Sequence, residues 1–197
     1  NAVSQRLAAL RGRTRTGAWL HEVMLSQNAS RTRFRTNGEE NSGLRGRVSK
    51  VEWTASRAFN SNVLTHSLAL GMQYEQRRFR NFSASFAGAN HRAKDQQRSQ
   101  FVEYLLRAGQ RSFSVSARHD NNQRFANLTT WRVTATQAIT ANTRAHASWG
   151  EGSANPTFFE LFGFIPESFL GNPDLKPETS RGWDLGLTAD FCGGACR

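Results

Sequence analysis

A chain of 197 residues with 38% apolar residues, a mean hydropathy of −0.61 and a formal net charge of +11 lacks the apolar content of a well-buried soluble core. Its 14 phenylalanines and 5 tryptophans, set in regular alternation, argue against disorder. No run of 18 apolar residues occurs, which excludes a transmembrane helix; a transmembrane β-sheet needs only every second residue apolar and keeps a polar average.

The chain opens Asn1-Ala2-Val3-Ser4-Gln5-Arg6, with neither a basic n-region nor an apolar h-region. An exported barrel needs a signal peptide, so the true N-terminus is expected upstream. Period-two alternation then predicts about eight strands. The first, about 17–28, sets Trp19, Val23 and Leu25 against Glu22, Met24 and Ser26. The second, about 45–59, sets Val51, Trp53 and Ala55 against Lys50, Glu52 and Thr54. The third, about 62–76, is the cleanest: Leu64, His66, Leu68, Leu70, Met72 and Tyr74 oppose Thr65, Ser67, Ala69, Gly71, Gln73 and Glu75. Further strands are expected at about 97–107, 111–120, 129–140, 142–150 and 180–191.

The expected links alternate. Those around 60–61, 108–110 and 140–142 are short, and the others are longer and polar, the longest running from about Glu151 to Thr179. An up-and-down membrane barrel produces this order, with short periplasmic turns and long outer loops. Trp19, Tyr74, Trp131 and Trp149 stand near strand ends, where interfacial aromatic girdles would place them.

Chemistry is sparse. The five histidines (21, 66, 91, 119 and 146) are widely spaced, and no G-x-S-x-G, P-loop or G-x-G-x-x-G run occurs. Neither a catalytic site, a metal site nor a cofactor is expected. Cys192 and Cys196 close the chain in Cys-Gly-Gly-Ala-Cys-Arg, a spacing that suits a small disulfide and lacks the further ligands of a metal site. Only three of the 26 basic residues are Lys. Spread over the whole length, the excess reads as a solvated lumen and loops. Two expected loops are nonetheless basic. One holds Arg31, Arg33 and Arg35; the other holds Arg77, Arg78, Arg80, His91 and Arg92 with Phe79, Phe82 and Phe86. Such a set suits a solvated cover touching anionic lipopolysaccharide, capture of an anionic metal chelate, or phosphate contacts to nucleic acid.

The most specific stretch comes late. It reads Trp149-Gly150-Glu151-Gly152, then Pro156-Thr157-Phe158-Phe159-Glu160-Leu161-Phe162-Gly163, then Gly171-Asn172-Pro173-Asp174-Leu175-Lys176-Pro177-Glu178, and ends in the alternating Trp183–Ala189. The two runs, in this order and spacing, resemble the late barrel segment of TonB-dependent outer-membrane receptors. Proline at 173 and 177 fixes φ and interrupts a ladder, so Pro156, Glu160, Leu161, Gly171, Asn172, Pro173, Leu175, Pro177 and Glu178 are expected to be structural, folding a long loop onto the barrel rim.

The resemblance implies an all-β, antiparallel up-and-down barrel of about 22 strands with a plug in its lumen. Residues 1–197 would be a partial barrel domain without the plug, and the cysteine tail, which departs from the family pattern, a truncated or frame-shifted end. The resemblance implies no enzymatic activity. It implies location in the outer membrane of a Gram-negative bacterium, contact with outer-membrane lipid and lipopolysaccharide, and binding of a metal chelate by outer loops and plug. Energy would come from the TonB complex acting through the absent plug. A ferric siderophore is the first expectation for ligand and cobalamin or haem the alternative, with Arg77, Arg78, Arg80 and Arg92 as capture residues. Two other classes fit the residues less well: a small closed structural or adhesin barrel, and a basic β-protein that binds nucleic acid.

Overall fold

In the computed structural model, which describes residues 1–165 and 168–189, antiparallel strands follow one another with few interruptions. They are β1 (Ala2–Thr16), β2 (Trp19–Thr36), β3 (Glu39–Ser61), β4 (Leu64–Ser83), β5 (His91–Ala108), β6 (Arg111–Asn122), β7 (Leu128–Ala138) and β8 (Thr143–Ala154). A five-residue helix α1 (Phe158–Phe162) and the two-residue strands β9 (Phe164–Ile165) and β10 (Phe169–Leu170) precede β11 (Glu178–Ala189). The main sheet runs β1-β2-β3-β4-β5-β6-β7-β8-β11, and β9 pairs with β10 apart from it. Its first and last strands are edges that do not pair with each other, so it is a nearest-neighbour meander and not a small closed barrel. Cys192 and Cys196 lie outside the described residues.

The sheet has nine strands among the described residues, one more than alternation reveals. The strand missed is β1. Its apolar residues fall on both faces, with Val3 and Leu7 on one and Ala8 and Leu10 on the other, so no period-two signal survives. A second correction concerns length. The polar stretches expected as loops after the first and third predicted strands are ladder: β2 and β3 extend to a two-residue turn at Asn37-Gly38, both at positive φ (52° and 84°). Likewise β4 continues to Ser83 and β5 begins at His91.

One face of the sheet is apolar. Its cross-strand rows include Leu25–Val51–Tyr74, Val23–Trp53–Met72 and Tyr104–Val115–Val133–Trp149–Trp183. These side chains face outward unburied, Met72 at 56% and Trp183 at 78% exposure. The opposite face is polar, and the buried polar residues Asn81, Asp95, Ser99 and Asp120 all lie on it. Polar groups are covered while large apolar ones are bare, the reverse of a soluble domain and the pattern of a wall between lipid and a polar lumen. On β3 the apolar rows run from Val51 to Phe59, roughly 26 Å at about 3.3 Å per residue. At the Phe59 end, the His66 ring stacks on Phe59 at 4.7 Å, and its Nδ1 is hydrogen-bonded to the Tyr104 hydroxyl at 2.6 Å.

The links sort by end. At one end the turns are tight, with Gly17, Asn62 and Gly109 at positive φ. At the other lie 37–38, 84–90, 123–127 and the long link 155–177.

The face assignment has a direct test. Leu70 lies near the middle of the apolar rows, and Gln73 on the polar face of the same strand. Leu70→Arg is expected to destabilise bilayer insertion of the protein by about 2–4 kcal/mol, with Gln73→Arg tolerated. Folding titrations into lipid vesicles check this; equal costs or the reverse order would place the register one residue off.

Candidate functional site

The polar face is most elaborate at the end that carries the long links. Arg77 on β4 donates from Nη2 to Gln97 Oε1 at 3.0 Å and lies 3.4 Å from the Asp95 carboxylate and 3.3 Å from that of Glu75. Two strands away, on β6, Arg118 donates from Nε to Asp120 at 2.9 Å and from Nη2 to Ser99 Oγ at 2.8 Å. Charge alternates across these strands, so the buried carboxylates are met by guanidinium groups. A small polar cavity of about 120 Å³ opens between Glu75, Arg77, Gln97, Asp120, Asn122 and Asn155.

Asn155 opens the 155–177 link, which folds back over this region. Its amide nitrogen donates to Asn122 Oδ1 at 3.0 Å and to Gln97 Oε1 at 3.4 Å. Aromatic contacts carry the link further. Phe158 stacks on Phe79 of β4 at 5.8 Å, Phe162 on His91 of β5 at 4.1 Å, and Phe164 meets Phe86 at 5.6 Å. The Arg124 guanidinium lies 5.1 Å over the Phe162 ring, within cation–π range. Leu161, at 2% exposure, is the best-buried apolar residue of the link. A link at the end of the longer connections thus covers the polar face of β4–β6.

The link holds its own shape through the residues of the late motif. Pro156 precedes Thr157, the N-cap of α1. The Thr157 hydroxyl accepts from the Glu160 N–H at 3.2 Å, and the Glu160 carboxylate accepts from the Thr157 N–H at 2.7 Å, a reciprocal capping box. That backbone N–H, with the Thr157 hydroxyl, holds the Glu160 carboxyl below its usual range. The Asn172 N–H donates to Glu160 O at 2.8 Å and the Gly171 N–H to Gly163 O at 2.8 Å, which brings the second run of the motif against the first. Gly171 sits where a Cβ would come 2.6–2.8 Å from backbone atoms of Phe162, Leu161 and Gly163. Asn172 Oδ1 then accepts from the Asp174 N–H at 3.0 Å, closing an Asx turn over Pro173, and the Leu175 N–H reaches Asn172 O at 3.4 Å. Pro177 leads directly into Glu178, the first residue of β11.

The four arginines expected as a capture loop are not in a loop, and Arg77 is parted from the other three. Arg77, Arg78 and Arg80 are in β4 and Arg92 in β5. Arg77 faces the polar side, whereas Arg78, Arg80 and Arg92 fall on the opposite face with the apolar rows. Arg31, Arg33 and Arg35 likewise belong to β2. The physical reason is that beyond the apolar rows both faces meet polar surroundings. Alternation therefore vanishes from the sequence while backbone pairing continues. Sequence reasoning does not single out Asn155, Gln97, Asp95 or Ser99; residues 94–100 are an unbroken polar run with no alternation to mark a face. Among the described residues no group of three or more His, Cys, Asp or Glu converges as metal ligands would.

Two outcomes test the link. Gly171→Ala is expected to displace α1 and raise protease sensitivity within 155–177 while leaving the barrel folded. The capping box has a pH sign. A carboxyl with a depressed folded-state pKa contributes stability above its unfolded value, and that contribution fades as pH falls through the depressed one. Hydrogen exchange of the Thr157 and Glu160 amides is therefore expected to quicken, relative to reference amides, as pH drops into and below the carboxylate range. Glu160→Gln, which cannot ionise, should show no such dependence.

Comparison with known proteins places this wall. The family profile described as TonB dependent receptor-like, beta-barrel, matches residues 4–194. The chain is 30% identical over 140 residues to the vitamin B12 transporter BtuB of Photobacterium profundum, covering 71% of this chain and 22% of that protein. In fold it is similar to the siderophore receptor PirA of Pseudomonas aeruginosa, with a TM-score of 0.82 at 13% identity over 97% of this chain and 37% of that one. It is also similar to PirA of Acinetobacter baumannii, with a TM-score of 0.80 at 14% identity over 96% of this chain and 33% of that one. The chain spans about a quarter of the length of its curated relatives. A continuous meander, one apolar and one polar face, and a family match across nearly its whole length make the same assignment: the chain belongs to the TonB-dependent receptor family and is a segment of its outer-membrane β-barrel.

Proposed function

We propose that this chain forms the wall, and part of the outer mouth, of a receptor that imports a metal chelate across the outer membrane. The observation that carries the reading is the 155–177 link, folded over the polar face at the end of the long links, with Arg77, His91 and Phe158 on the lumen side. A ligand entering from outside meets this surface before the lumen. It offers stacking faces and hydrogen-bonding groups for a large, partly aromatic chelate, and no nucleophile poised for reaction. The edges β1 and β11 expose Leu7, Leu10, Trp183 and Leu185 along unpaired backbone. In lipid both edges need further strands, which the rest of a larger barrel would supply, together with a plug that the TonB complex acts on. The chain's identity to a vitamin B12 transporter favours cobalamin as a second reading beside a ferric siderophore.

Binding titrations of the full-length receptor with a ferric siderophore panel and with cyanocobalamin test the proposal. One class is expected to bind, and Gly171→Ala to weaken that binding about tenfold or more by moving the link out of place. Correct insertion with no affinity for either class would overturn it.

A further inference from the structure

At the end of the longer connections, the polar face changes character on β1–β3, beyond the strands that the 155–177 link covers. Three successive cross-strand rows there hold no charged residue. The first sets Leu7, Asn28 and Val48 side by side, the second Gln5, Ser30 and Gly46, and the third Val3, Thr32 and Leu44. Val3 and Leu7 stand 76% and 75% exposed, although a wall between lipid and a polar lumen has no need of aliphatic side chains on this face. Between them, Gln5 Nε2 donates to Asn28 Oδ1 at 3.3 Å, which leaves the Asn28 amide N–H groups without a partner among the described residues. The surface is a set of aliphatic side chains around amides and hydroxyls.

The same strands are rich in cations, and the ladder sends these to the opposite face. Two successive rows there hold Arg31, Arg45, Arg80 and Arg92, and then Arg47, Arg78 and Lys94. Followed onto β4 and β5, the three rows of the polar face meet one arginine, Arg77, which lies 3.4 Å from Asp95 and 3.3 Å from Glu75. One row nearer the apolar band, Lys50 is paired with Glu52 at 2.8 Å. The sheet itself separates the opposite-face guanidinium groups from a ligand on β1–β3 by more than a Debye length, about 8 Å in physiological salt. An anionic complex seated on these rows would lose hydration with no cation to meet it. An uncharged complex carries no such penalty. Its apolar rim fits the aliphatic side chains, and its carbonyl oxygens can accept from Asn28.

We infer that the polar face of β1–β3 is a contact surface for an uncharged, amide-bearing metal complex, and that it selects against anionic chelates. The inference rests on the import reading above and narrows its ligand by charge. Neutral hydroxamate chelates and corrinoids share the required chemistry; catecholate and citrate chelates lack it.

The test uses the full-length receptor, its Asn28→Asp variant and its L7D/V48D variant, all in neutral detergent. The uncharged probes are a neutral ferric trihydroxamate and cyanocobalamin; the anionic probes are a ferric tris-catecholate and ferric citrate. The unsubstituted receptor is expected to bind one uncharged complex about tenfold or more tightly than either anion, with an affinity that does not change between low and physiological salt. The nearly isosteric Asn28→Asp replaces the donor by a carboxylate and should weaken that binding about tenfold. The L7D/V48D variant should abolish it; if that variant fails to insert, Asn28→Asp alone decides. Tighter, salt-dependent binding of an anion would overturn the inference and leave the import reading standing. No affinity for any probe in a correctly inserted receptor would overturn the import reading itself. Neutral binding untouched by Asn28→Asp would move the contact off β1–β3 and overturn the site.

Discussion

The structure depends on one constraint: within the hydrocarbon of a bilayer, every backbone N–H and C=O must find a partner in the protein. The antiparallel ladder meets that demand for every strand between its two edges, β1 and β11. It also dictates where proline is allowed. The described prolines 156, 173 and 177 lie between β8 and β11, outside the main ladder. The main strands run from 11 residues in β7 to 23 in β3, whereas about 9–11 suffice to cross a bilayer. In β2–β5 the surplus is built at the end of the long links. It raises the wall above the membrane, giving the 155–177 link a platform on one side and the arginine rows a surface on the other.

Because side chains alternate, the same backbone serves two solvents. Facing the lumen, the buried guanidinium groups lie beside polar partners: Arg118 beside Asp120 and Ser99, Arg77 beside Gln97 and Asp95. Facing lipid, only bulk apolar surface is asked for, and neighbours along a row need fit only loosely. Precision is therefore concentrated on the lumen side, where close approach also appears: the Phe101 ring lies across Gly71, leaving no room for a Cβ.

What is legible in the sequence follows from this division. Inside the bilayer the two faces differ in chemistry, so alternation is loud, as at Leu64–Tyr74 and 111–120. Above it the contrast disappears. Residues 29–36 and 77–83 therefore read as loop although they are paired in the ladder, with one register shift between Phe34 and Arg35. β1 escapes detection for a related reason: an apolar residue on each face cancels the period. The late motif is legible as a specific string, and its proline and asparagine turns follow from local chemistry. Its packing is not, because the partners Phe79, His91, Gln97 and Asn122 lie 33–79 residues earlier in the chain, and nothing in a single sequence links them to Phe158, Phe162 and Asn155.

A grouping by sequence can also mislead. Arg77 and Arg78 are adjacent in the chain, yet the wall sends one to an ion-paired lumen and the other to a basic outer patch. Adjacency along a strand means opposition across the sheet, and kinship runs instead along rows, from Arg47 to Arg78 to Lys94. A slip of one residue in pairing would exchange the two populations, placing guanidinium groups against the lumen and carboxylates toward lipid. The one irregularity in the β2–β3 pairing falls between Phe34 and Arg35, above both basic rows, so the register that creates the patch is continuous with the register that builds the apolar band. The arginine rows are thus fixed by the same ladder that builds the apolar rows, and on each strand their distance from those rows is set by its register.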